Sequence, residues 1–143
     1  MKTRTFVSVI ILLFAVTIAF AEDKIRIEDT YGTWINPDYN VSAPAEVIIC
    51  NPDGTVIGYS KATDTDIDWK AQYTITDSWY DSEGNLFVKY EAPVDRVQQT
   101  SHLYFLNKFS NDGTVWEFVW SGVDYPTEVS RIGGNYTIYY RQE

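Results

Sequence analysis

Three times the chain places a four-residue turn that ends in glycine between short runs of β-forming residues: Asn51-Pro52-Asp53-Gly54, Asp81-Ser82-Glu83-Gly84 and Ser110-Asn111-Asp112-Gly113. Asp and Pro bend the chain in such a turn, and the closing Gly supplies the positive φ that returns it antiparallel. A chain with this punctuation must fold as hairpins. The runs between the turns are rich in Val, Ile, Thr, Tyr, Phe and Trp, and none shows a long apolar pattern of helical period. Strands are predicted at Glu28 to Ile35, Ala45 to Cys50, Thr55 to Lys61, Ala71 to Trp79, Asn85 to Glu91, Ser101 to Phe109, Thr114 to Ser121 and Asn135 to Arg141. The longer connections, Asp38 to Pro44, Ala62 to Lys70, Ala92 to Thr100 and Gly122 to Ile132, are the expected loops at a mouth.

The fold class is therefore all-β, and eight strands in this length suit an antiparallel up-and-down barrel. A two-sheet sandwich is the structural alternative. Two features at opposite ends of the chain favour closure. Near the start, Gly32 in Tyr31-Gly32-Thr33-Trp34 lets the backbone bend while Trp34 turns inward. Near the end, Arg141 is placed to lie over that indole if the first and last strands pair.

The domain is expected to occupy residues 22–143, behind a removable leader at 1–21. Met1-Lys2-Thr3-Arg4 is a short basic segment, Phe6 to Ile18 is an apolar run, and Ala19-Phe20-Ala21 has the small-x-small form of a signal-peptidase site. The run is shorter than the roughly 20 residues a membrane helix needs, so no stable span is expected after processing. The mature protein is expected to be periplasmic or secreted. Loss of Lys2 and Arg4 takes the formal net charge from −9 to −11, which opposes nucleic acid and anionic lipid as partners. Cys50, the only cysteine, lies in the apolar run Val47-Ile48-Ile49-Cys50 and is expected to be a buried free thiol.

Alternation along the strands selects the inward side chains. Trp116, Phe118 and Trp120 alternate with Val115, Glu117 and Val119, and an inward Glu117 would be costly, so the aromatic row faces in. The same reasoning turns Leu86, Val88, Tyr90, Tyr73, Ile75, Leu103 and Phe105 inward. Tyr73, Tyr90, Phe105, Trp116, Phe118 and Trp120 are thus the candidate ligand-binding residues. They either line an amphipathic pocket or fill the barrel solid. Other chemistry is sparse. Asp64, Asp66 and Asp68 alternate, but Trp69 and Ile75 stand where a calcium loop needs Gly and a carboxylate, so a solvated acidic loop is the reading. His102 is the only histidine and has no zinc-ligand spacing or nucleophile motif around it. No metal, cofactor or catalytic residue is assigned, and an enzyme is not expected. Asn40-Val41-Ser42 and Asn135-Tyr136-Thr137 match the short glycosylation sequon, which has meaning only in a host that glycosylates.

The Gly32-Thr33-Trp34 step with Arg141 resembles the Gly-x-Trp motif and last-strand arginine of the lipocalins, in the calycin superfamily. The pentapeptide Gly32-Thr33-Trp34-Ile35-Asn36, in a chain without a C-terminal helix, is also similar to the avidin side of that superfamily. The resemblance implies that Gly32, Trp34 and Arg141 close the barrel base and that the open end admits a small, usually apolar molecule. The leading expectation is an exported lipocalin-like barrel that binds a small apolar or amphipathic molecule non-covalently. The alternative is a filled barrel that acts through its loops as a protein-interaction or inhibitor module. The leader reading predicts that exported protein begins at Glu22. Intact mass of material from its own cells checks this, and full-length chain in a membrane fraction would contradict it.

Overall fold

The computed structural model describes residues 24–38, 45–62, 64–96, 99–132 and 135–143. The expected leader, the sequon at Asn40 and the Gly133-Gly134 pair lie outside them. At each of the three turns the glycine N–H donates back to the first residue: Gly54 to Asn51 at 3.1 Å, Gly84 to Asp81 at 3.2 Å and Gly113 to Ser110 at 2.9 Å. The three glycines have φ of 83°, 83° and 72°, as the hairpin requires.

The strands are β1 (Gly32–Ile35), β2 (Val47–Cys50), β3 (Thr55–Tyr59), β4 (Trp69–Gln72), β5 (Thr74–Tyr80), β6 (Leu86–Arg96), β7 (Gln99–Phe109), β8 (Val115–Ser121) and β9 (Tyr136–Arg141). Neighbours along the chain pair antiparallel from β1 to β4 and from β6 to β9. Pairing of β1 with β9 and of β4 with β6 then closes an eight-stranded barrel. The ninth element, β5, continues β4 past a break at Tyr73 and pairs only with the first half of β6 among the described strands. The predicted strand from Ala71 to Trp79 is therefore present as two pieces. At the break, the Tyr73 N–H donates to Gly54 O at 3.0 Å, the last rung shared with the β2–β3 hairpin. Beyond that hairpin β5 is an exposed edge.

Two further expected elements differ. Glu28 to Thr30 is not strand but part of a 3-10 turn, Ile27–Thr30. Local side-chain bonds outcompete extended pairing there: Thr30 Oγ1 donates to Ile27 O at 2.6 Å, and the Arg26 N–H donates to Asp29 Oδ2 at 2.8 Å. The stretch from Ala92 to Thr100 is also not a loop, because β6 and β7 run on as long hairpin arms to Arg96 and from Gln99. Ala92 and Val94 are buried while Pro93 and Asp95 face water, so the alternation passes through the proline that marks a break in the sequence.

The tight turns and both ends of the described chain gather at the base. Trp34 is fully buried there, and its Nε1 donates to Thr30 O at 3.0 Å. Its ring meets Phe109 and Trp116, each at 5.7 Å. Arg141, paired with Trp34 across the closing strands, sets its guanidinium 5.4 Å from the indole centroid. The guanidinium donates to Asp29 O and, at 2.7 Å, to Tyr31 O. Gly32 is required twice over: its φ is +125°, and a Cβ there would meet the guanidinium at 3.4 Å. Arg141→Ala removes the ring contact and leaves two carbonyls without their charged donor, so it should destabilise the fold by about 1–3 kcal/mol. Denaturant melts measure this, and an unshifted midpoint would contradict it.

Candidate functional site

The predicted inward row of β8 builds the middle of the barrel. Trp116 packs on Phe118 at 4.8 Å, stacks on Phe109 at 5.5 Å and meets Tyr139 at 5.6 Å. Phe105 meets Phe118 edge-on at 6.0 Å, and Tyr73 stacks on Tyr90 at 4.4 Å. The one amide among these rings, Asn107, is fully buried and satisfied on both sides. Its Nδ2 donates to Val88 O at 3.0 Å, and its Oδ1 accepts from Trp116 Nε1 at 3.0 Å.

Five of the six candidate residues, Tyr73, Tyr90, Phe105, Trp116 and Phe118, face one apolar space, but that space is only about 30 Å³. A site for a small organic molecule occupies roughly 300–1,000 Å³. Trp69 is a main reason for the shortfall. It sits opposite Gly58 across the β3–β4 ladder, and a Cβ on Gly58 would lie 2.3 Å from the indole. With no side chain in the way, the indole lies against the β3 backbone and occupies the upper barrel. Trp69 was not singled out from sequence; the signal that points to it is the lone glycine inside the strand Thr55–Tyr59. Trp120, the sixth candidate, packs partly buried against the core and borders a separate groove beside the β8–β9 connection.

Burial sets the chemistry of the interior. It pushes the Cys50 thiol up to about 12 and raises the Tyr73 and Tyr90 phenols, Tyr90 most completely enclosed. Cys50 is therefore a protonated apolar filler rather than a nucleophile. Among the described residues no group of three or more His, Cys, Asp or Glu side chains comes together as a metal site, and Asp64, Asp66 and Asp68 lie on the β3–β4 connection.

The outer wall carries a second aromatic arrangement. Lys89 lies between Trp79 at 5.7 Å and Tyr125 at 5.3 Å, and Trp79 stacks on Phe87 at 5.4 Å. The Tyr125 hydroxyl meets Thr76 Oγ1 at 2.8 Å and donates to Glu91 at 3.3 Å. Glu91 also lies 3.9 Å from His102, whose ring packs edge-on against Tyr104. Tyr125 belongs to the β8–β9 connection, so this cluster ties that long loop to the barrel wall. The loop itself exposes Val123 and Ile132 at 88% and 90%, while the β3–β4 connection at the same end exposes Ile67.

With its pKa near 12 in the native state against about 8.5 when unfolded, Cys50 should be unreactive toward a disulfide reagent at pH 8 until the barrel opens. Reagent release followed with and without denaturant checks this; rapid native labelling would mean the thiol is accessible. No family model matches the chain, and no curated protein or solved structure matches it.

Proposed function

We propose that the protein is an exported, divergent calycin-type barrel that works as a protein-interaction module, presenting its mouth-end loops from a filled scaffold. The filled interior carries this reading: about 30 Å³ is left where a carried molecule would need tenfold more. Three exposed apolar side chains add to it, since Ile67, Val123 and Ile132 stand on connections at one end of the barrel, while Trp79, Tyr80 and Tyr140 are less exposed and lie on strands. Export follows from the leader expected at residues 1–21, and the superfamily assignment rests on strand order together with Gly32, Trp34 and Arg141.

A small-molecule carrier is the second reading, favoured by the five rings that surround a single apolar space. It requires Trp69 to swing away from Gly58. The two readings separate in the cells that make the protein. A photo-crosslinking side chain at Val123 or Ile132 should give a discrete adduct with another protein, and one at Ser82, at the opposite end, should not. Equal adducts from all three sites, or none together with a change in indole emission on adding a fatty acid, retinoid, haem or biotin, would return the lead to the carrier.

A further inference from the structure

The connection from Gly122 to Asn135 separates β8 from β9 without any helix or strand among its described residues. Connections of this length that carry no regular structure are uncommon in small domains and are usually either functional or linkers. This one is also held down. Tyr125 is bonded to Thr76 and Glu91, Asn135 Nδ2 donates to Trp120 O at 2.9 Å, and Arg131 packs over the Tyr136 ring at 5.6 Å. Between the connection and the end of β8 lies a groove of about 410 Å³, bordered by Val119, Trp120, Val123, Pro126 and Ile132. Because the loop is already tied to the wall, a partner entering the groove need not offset the entropy of ordering it.

The charged residues that line the groove are acidic, with Lys89 behind the Tyr125 ring. Asp124 and Glu128 border it, no Lys or Arg does so among the described residues, and the neighbouring Arg131 is turned onto Tyr136. Asp64, Asp66 and Asp68 add negative charge at the same end, on a chain whose formal net charge is −9. Exposed apolar side chains beside two carboxylates select a partner that carries the opposite sign next to an apolar anchor. We infer that this groove receives an extended segment of a partner protein in which Lys or Arg flanks a large aliphatic or aromatic side chain. The inference rests on the interaction-module reading and names the chemistry of its partner.

The test uses three labelled peptides: alternating Lys and Leu, the same with Glu for Lys, and the same with Ser for Leu. Fluorescence anisotropy against the mature protein should show the Lys–Leu peptide binding at least about tenfold more tightly than either control. Added salt should weaken it, since its charges are exposed. The Val123→Ser/Ile132→Ser variant changes only exposed side chains and should lose about tenfold; Asp124→Asn/Glu128→Gln should lose about fivefold and much of the salt dependence. Equal binding of the Glu–Leu peptide, wild-type affinity in the Ser variant, or a preference for phosphatidylcholine vesicles over the peptide would overturn the inference. Failure of all three peptides while a crosslinker at Val123 still captures a protein would overturn the basic-segment chemistry and leave the interaction module standing.

Discussion

The barrel depends on the junction of Arg141, Trp34 and the 3-10 turn. Backbone closure there is thin, because β1 and β9 share only the pairs Trp34 with Arg141 and Ile35 with Tyr140. Side chains make up the difference. The guanidinium spans the seam and holds two carbonyls from the segment before β1, the indole bonds back to Thr30, and Gln142 N donates to Thr33 O at 3.0 Å. A charged donor on a backbone carbonyl is stronger than a neutral one, and solvent exposure of both bonds moderates what each contributes. Higher on the same strand, the Tyr139 hydroxyl donates to Ala45 O and fixes the approach to β2. The two short strands are thereby joined by side chains as well as by the backbone.

Once closed, a barrel of this size is filled or hollow according to a few large side chains. Here Trp34, Phe109 and Trp116 occupy the lower half, and Trp69 against Gly58 occupies the upper. Asn107 gives the Trp116 indole N–H a buried acceptor, so the ring is positioned as well as enclosed. The result is a packed core where the resemblance to carriers implies a pocket. On the proposed reading, recognition falls to features outside, in the loop held by Tyr125 and in the apolar side chains at the mouth.

Much of the fold was legible because local and global signals agree. The glycine-ended turns fixed the three base hairpins, and Glu117 among the aromatics of β8 fixed which face of that strand is inward. The Gly32, Trp34 and Arg141 set pointed to where the ends meet. The discrepancies lie where local signals mislead. Pro93 hides the extension of β6, and the Asp29 and Thr30 side chains divert a strand-like stretch into a 3-10 turn. The break at Tyr73 has no signal of its own, since it arises from the end of the β2–β3 hairpin next to it. The site was less legible than the fold. Alternation says which rings face in, but whether they leave space depends on Trp69 finding a backbone without a side chain, a relation between positions far apart in the sequence.

A core packed at base and mouth leaves little room among the interior rings. The described residues of the β8–β9 connection are held by a hydroxyl, an amide and a cation–π contact rather than by secondary structure of their own, so their sequence can vary while the barrel keeps its shape. A solid interior should persist in the working protein, and a crystal structure of material purified from its own cells would show it. Trp69 should be seated against Gly58, with no more than a water-sized space beside Tyr90 and Trp116; ligand-sized density among those rings, with Trp69 displaced, would overturn it.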